Sequence, residues 1–190
     1  EADKADALVA TRTGTEPRSL IAGRWTETDG PRGDIMEQVL RSAGAEQINL
    51  PGGKIGFRLI EENRPPTLHI PAEHIIDITI KAGPDGVERP NKCKLSFYSR
   101  ENLFTSTELD LVDDRSASAP NPLPWSQAAN EITRVGEKLH EEKLDLSFSS
   151  AQSQRITRRR FTMARGDRVT VITDYAGISA WGHKTVSFEV

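Results

Sequence analysis

A single cysteine, Cys93, stands in 190 residues, so the chain has no internal disulfide framework and no multi-cysteine zinc or iron–sulfur site. No stretch approaches the ~20 consecutive apolar residues that would span a bilayer, and no signal-peptide pattern opens the sequence. Excess charge of either sign is missing too. The 25 Lys and Arg residues against 28 Asp and Glu give a net charge of −3. Without a global positive field, contact with a phosphate backbone would need a local patch. A mean hydropathy of −0.52, with 36% hydrophobic and 28% charged residues, describes an ordered chain with a thin core and much polar surface. The sequence starts at Glu1 and ends at Val190 inside an apparent strand, which suggests a piece of a longer protein.

The usual signatures of chemistry are missing as well. His69, His74, His140 and His183 lack the helical spacing that would set two imidazoles on one metal ion. Asp113-Asp114 and Glu141-Glu142 are adjacent carboxylates, and neighbours in a strand point to opposite faces, so neither pair forms an acid/base dyad. Glu61-Glu62 reads as a solvated turn. There is no glycine-flanked serine elbow. Pro51-Gly-Gly-Lys54 is no phosphate loop, because no Gly-Lys-Ser/Thr leads into a helix. Cys93 falls on the inward side of its strand, where a thiol behaves as a small hydrophobe. No catalytic residue, metal or cofactor is expected, and the chain reads as a non-enzyme.

What is present is a series of short elements. Gly14-Thr-Glu-Pro-Arg18 leads into a strand expected at Ser19–Thr26. A helix follows, with Asp34 and Glu37 in a capping-box pattern, a stripe of Ile35, Val39 and Ala43 with Met36 and Leu40, and Gly44 as C-terminal cap. Period-two alternation predicts strands through Ile55–Ile60, Ile76–Ile80, Cys93–Phe97, Thr105–Val112 and Leu144–Phe148, and others near Val169–Tyr175 and Thr185–Val190. Ser116-Ala-Ser-Ala-Pro-Asn-Pro-Leu-Pro124 is too proline-rich for a sheet interior. Trp125, just beyond it, is expected to pack onto a neighbour. Ser149-Ser150 offer caps for a second helix, Ala151–Arg165.

Without β-α-β alternation, these elements predict an α+β fold of mainly antiparallel strands, in a sheet or open barrel, with two amphipathic helices. The expected organisation is a first lobe over 1–112, a proline-rich excursion or joint over 113–130, and a second strand-helix-strand lobe over 131–190. One integrated domain is the alternative.

The second helix gathers the most conspicuous charge. Arg155, Arg158, Arg159 and Arg165 fall on one face, while Ile156, Phe161, Met163 and Ala164 fall on the other. Arg160 lands inside the apolar arc, where a charge is costly unless paired. The plain reading is a solvated basic face. The sharper one makes Arg155, Arg158, Arg159 and Arg160 an interface, with Arg160 meeting a carboxylate of another subunit or lobe. Nucleic-acid contact ranks last, since no aromatic platform interleaves the arginines.

The order of the pieces resembles the central tail-tip (host-specificity, J-type) hub proteins of long-tailed bacteriophages. Gly14-Thr-Glu-Pro-Arg18, the short helix, Gly52-Gly53 and the strand to Ile60 are similar to that family's opening segment. Arg89-Pro-Asn91 through Tyr98-Ser-Arg-Glu-Asn102 resembles its Asn-x-Val-x-Val-x-Phe/Tyr-x-Asp-Pro-Glu-Asn strand and turn, with Ser99 and Arg100 where the family has Asp-Pro. Ile132-Thr-Arg-Val-Gly136, Ser150-Ala-Gln-Ser-Gln-Arg155 and Val169-Thr-Val171 match later pieces in consistent order.

The resemblance implies a structural part of a phage tail tip or baseplate hub in the virion. Such a part links the tail tube to the central fibre and supports host attachment and DNA delivery. It implies a homotrimer in the full-length protein and neighbouring tail proteins as partners. It implies no small-molecule substrate, and nucleic acid only as DNA in passage. Host-surface contact is expected through parts outside this sequence. A competing reading is a carbohydrate- or protein-binding β module of a phage or bacterial surface protein, presenting Trp25, Trp125 or Trp181 on one face. A paired-carboxylate hydrolase would need two acids converging in a cleft.

Overall fold

Cys93, Leu95 and Phe97 alternate along one strand, and the face they share is the foundation of the core. In the computed structural model that strand is β7 (Lys92–Ser99), and all three side chains are buried. The structure describes residues 7–11, 14–23, 30–50, 52–60, 65–81, 89–100, 102–103, 105–109, 111–113, 121–181 and 185–189. Before β7 come β1 (Leu8–Ala10), β2 (Thr15–Pro17), helix α1 (Arg32–Ala43), β3 (Ala45–Leu50), β4 (Lys54–Leu59), β5 (Leu68–Ile70) and β6 (Ile75–Lys81). After it come β8 (Thr105–Leu109), β9 (Val112–Asp113), β10 (Asn121–Pro122), helix α2 (Ala129–Val135) and β11 (Leu139–Leu144). Helix α3 (Ser150–Arg165), β12 (Arg168–Thr173), a 3-10 segment (Tyr175–Ala180) and β13 (Val186–Phe188) complete the order.

The fold is α+β, with most strand pairs antiparallel. The central sheet has the order β11-β7-β8. Helix α3 covers it, so that Cys93, Leu95, Phe97, Leu111, Leu144, Ile156 and Phe161 form one core. Leu109, Leu123 and Trp125 pack against its margin, as expected of Trp125. Every other described sheet is a two-stranded ribbon: β1-β2, β3-β4, β6-β12, β5-β13 and β9-β10. Pro122 pairs only in the short β9-β10 ladder, at an edge where proline's missing N–H is tolerated.

Several expectations need correction. Two pairings, β11 with β7 and β13 with β5, are parallel. A parallel neighbour needs a long crossover, and the chain between β8 and β11, with the proline-rich stretch and α2, is that crossover. The helix α2 itself was not expected. Pairings β11-β7, β12-β6 and β13-β5 join strands from either side of residues 113–130.

No strand forms in the described part of Ser19–Thr26. Ile21 makes a single bridge to Ser147, and Leu20 N–H donates to the Gln152 side chain (2.8 Å). Residues 24–26 of that expectation lie outside the described ones. The strand expected through Phe148 stops at Leu144, where the backbone turns back with Ser147 N–H donating to Leu144 O (3.3 Å). Tyr175 lies in the 3-10 segment, not in a strand.

At the helix ends the outcome is divided. Helix α1 begins after Pro31 without any side-chain cap, so Asp34 sits within the first turn rather than capping it. Its charge there still complements the helix dipole. Gly44 does end α1, in the left-handed region (φ 67°) that favours glycine. A Cβ at this position would press on the Ile156 side chain of α3. Ser149 caps α3 by accepting from Gln152 N–H (3.2 Å). The β7-β8 turn closes with Ser99 Oγ accepting from Asn102 N–H (3.3 Å), and it holds Leu103 at φ 54°.

Candidate functional site

Helix α3 carries the candidate residues, and its inward face is more polar than an apolar stripe predicts. Gln152, Ser153, Ile156, Thr157 and Phe161 are all buried. Gln152 uses both ends of its amide. It donates to Ser42 O (2.9 Å) and accepts from Leu20 N–H. Ser153 and Ser147 share a hydrogen bond of 2.8 Å. These residues repeat at helical spacing, so periodicity was a usable signal. A search for apolar residues alone passes over them. Met163, assigned to the apolar side, is 59% exposed.

The arginines fasten α3 to segments far apart in the chain. Arg155 donates to Glu16 (3.0 Å) and to Arg18 O (3.3 Å). Arg159 donates to Ile60 O (2.6 Å). Arg165 donates to Pro90 O (3.0 Å) and Glu131 (2.8 Å), with its guanidinium 5.6 Å from the Phe161 ring centre. Arg158 is exposed. Arg160 has the carboxylate its position demands, and that group belongs to this chain: Nη1 lies 3.4 Å from Glu142 Oε1. Its other terminal nitrogen donates to Arg41 O (3.3 Å).

Glu142 is the centre of a charged knot. Only 2% of its side chain is exposed, yet Arg41 Nε donates to Oε1 at 2.8 Å and the His140 ring nitrogen lies 3.5 Å from Oε2. Burial pushes the carboxyl pKa up. The contacts with His140 and Arg41 and the charge of Arg160 outweigh that and hold it below the usual glutamate range. Arg41 is correspondingly raised by its bond to Glu142. Burial is the main effect lowering Arg160, which as a guanidinium stays charged. The knot ties α1, β11 and α3 together. The lowered pKa favours the ionised carboxylate that this packing requires.

Other chemistry-bearing residues are equally occupied. Burial pushes the Cys93 thiol up to about 12, which keeps it protonated at neutral pH. His69 shares a hydrogen bond with Ser187 (3.0 Å) and His74 with Asp174 (2.9 Å). Glu141 is exposed and Glu142 buried, on opposite faces as expected. Among the described residues no group of three metal-ligating side chains converges. Glu61, Glu62, Asp114, His183 and Trp25 lie outside the described residues. Buried Asn91, in the Arg89-Pro-Asn91 motif, joins the starts of β7 and β11 by donating to Gly136 O and accepting from Lys138 N–H, both at 2.7 Å.

Compared with known proteins, the chain matches no family model and no curated relative.

Among the described residues, several large apolar side chains face outward. On β4, Ile55 and Phe57, which alternate along the strand as expected, are 62% and 46% exposed. On β6, Ile76 and Ile80 are 69% and 65% exposed. In a 3-10 segment residues three apart eclipse, so Tyr175 and Ile178 line one exposed side, and the capping residue Trp181, also exposed, extends this ridge. Trp181 Nε1 donates to Asn49 O (3.1 Å), which anchors the ridge to β3. Trp125, by contrast, packs against the core and shares no exposed platform with it.

Proposed function

We propose that the chain is a structural component of a phage tail tip or baseplate hub, linking the tail tube to the central fibre and supporting host attachment and DNA delivery. The observation that carries this reading is the set of two-stranded ribbons with exposed apolar faces. A two-stranded ribbon is marginal alone and gains stability when another surface covers it. Exposed contiguous apolar surface on a protein marks a place where another surface docks. The ordered sequence motifs add the tail-tip context.

In this reading the full-length protein is a homotrimer at the distal end of the virion tail, packed against neighbouring tail proteins. The chain performs no reaction, and its arginine knot keeps the scaffold rigid while its outer faces are covered. Gold-labelled antibody against this chain, applied to particles from its source, should mark the distal tail end. Particles that lack the chain altogether would refute the assignment.

The Tyr175–Trp181 ridge favours a second reading, a carbohydrate- or protein-binding module, because exposed aromatic groups suit sugar rings as well as protein surfaces. Saturable glycan binding that is lost in Trp181→Ala would select it.

A further inference from the structure

One end of the β6-β12 ribbon is tied off by side chains. Beyond the bulge at Ile172/Thr173 the last register pair is Thr173 with Ile75, and the next residues outward are Asp174 and His74. Two bonds join these. Asp174 N–H donates to His74 O (3.1 Å), and the His74 ring Nδ1 lies 2.9 Å from Asp174 Oδ2. His74 closes a short 3-10 turn, Ala72–His74, and Asp174 precedes the 3-10 segment that carries the aromatic ridge. The other carboxylate oxygen of Asp174, Oδ1, accepts from Ala176 N–H (2.8 Å), and its carbonyl accepts from Gly177 N–H (3.1 Å). One residue thus caps the ridge and grips a histidine.

A histidine in this place makes the grip depend on protons. The imidazolium donates from both nitrogens and adds its charge to the bond with a carboxylate. The neutral ring has one N–H and keeps the bond only in the tautomer with that proton on Nδ1. Among the described residues two charged groups act on His74: Asp174, from the segment packed against it, and Glu73, its own neighbour, 3.8 Å from Nε2. Both favour the charged ring, and the bond to Asp174 is the larger effect lifting its pKa. Only Asp174 is lost if the ridge swings away, because Glu73 belongs to the same turn as His74. Proton binding and closure of this contact are therefore reciprocal. The added stability is complete below about 6.5 and is lost as pH rises through the higher folded value.

We propose that the His74–Asp174 contact is a proton-operated clip for the aromatic ridge. With the imidazole charged, Tyr175 and Ile178 are held at the end of the β6-β12 ribbon; with it neutral, the segment opens more often. The far end of the ridge keeps its own anchor, the Trp181 Nε1 bond to Asn49 O (3.1 Å), so opening is a hinge motion at Asp174. A partner that needs the seated ridge binds better on the acid side of the His74 midpoint. The clip belongs to the isolated chain and requires no tail function, so it can fail without the assembly reading failing.

Amide hydrogen exchange of the purified chain tests it, followed by NMR from about pH 5 to about pH 9 and divided by the intrinsic rate at each pH. Protection of the Ala176 and Gly177 amides should fall as the pH passes the His74 midpoint. The fall should be roughly tenfold for each pKa unit by which that midpoint exceeds the one measured in Asp174→Asn. Asparagine keeps an acceptor for Ala176 N–H, so this variant removes the charge and leaves the cap. His74→Gln, neutral at every pH, should show level protection across the range. Ladder amides of β12 should stay level in all three proteins, which separates opening of the clip from loss of the fold. Wild-type protection that does not change through the His74 midpoint, or an equal pH response in His74→Gln, would overturn the proposal.

Discussion

At the scale of single residues, the decisive group is Glu142. Removing it leaves the mostly buried guanidinium of Arg160 without its carboxylate. Stranding one member of a buried pair is strongly destabilising. Because Arg41 is 41% exposed and can turn to water, the cost is reduced toward the exposed-pair range. Glu142→Gln should lower unfolding free energy by about 2–3 kcal/mol in urea titrations. The pH dependence follows from the depressed carboxyl pKa. Its contribution is present above the unfolded value of about 4.3 and is lost as pH falls through the lower folded value. Wild-type stability should therefore fall below about pH 4, and Glu142→Gln should show a shallower acid limb.

His74 has the opposite sign. Its hydrogen bond to Asp174 raises its pKa, so its contribution is complete below about 6.5 and disappears as pH rises through the folded value. An NMR titration should place the His74 midpoint above that of an ordinary histidine, and Asp174→Asn should bring it back. The sequence disclosed that Arg160 needed an acid, since helical spacing alone sets it among apolar neighbours. It did not disclose which one. Glu142 reaches Arg160 because β11 lies beside β7 in the central sheet and α3 packs across both strands.

At the scale of elements, legibility followed the strength of the local signal. Strand β7 and helix α3 carry strict alternation or a serine cap, and both were readable. Helix α2 has seven residues, no buried side chain and a proline-rich approach, so nothing in its pattern announces it. Alternation also cannot distinguish a parallel neighbour from an antiparallel one, and β11 and β13 were missed in that respect. Capping is testable directly. Ser149 accepts from Gln152 N–H and donates to Glu16, so Ser149→Ala should cost about 1–2 kcal/mol in chemical denaturation. The corresponding change at Pro31→Ser should add stability, roughly 0.5–1 kcal/mol, because α1 lacks any side-chain cap.

At the scale of the whole molecule, a polar composition conceals a divided structure. One tight core lies between α3 and the central sheet, while the ribbons around it turn isoleucine and phenylalanine outward and the 3-10 segment and its cap turn tyrosine and tryptophan outward. Period-two patterns marked Ile55, Phe57, Ile76 and Ile80 as one-sided but could not say whether that side meets this chain or another. An apolar face looks the same in sequence whether its cover is intramolecular or supplied by assembly. The α+β class was readable because the elements lack β-α-β order; the surfaces were not.

The central claim is that these outward faces are covered when the chain is in its assembly. Hydroxyl-radical footprinting with mass spectrometry measures this at Tyr175 and Trp181, which are 89% and 59% exposed in the isolated chain. Both should be oxidised readily in the purified chain and strongly protected within intact particles. Equal oxidation in the two states would contradict the account.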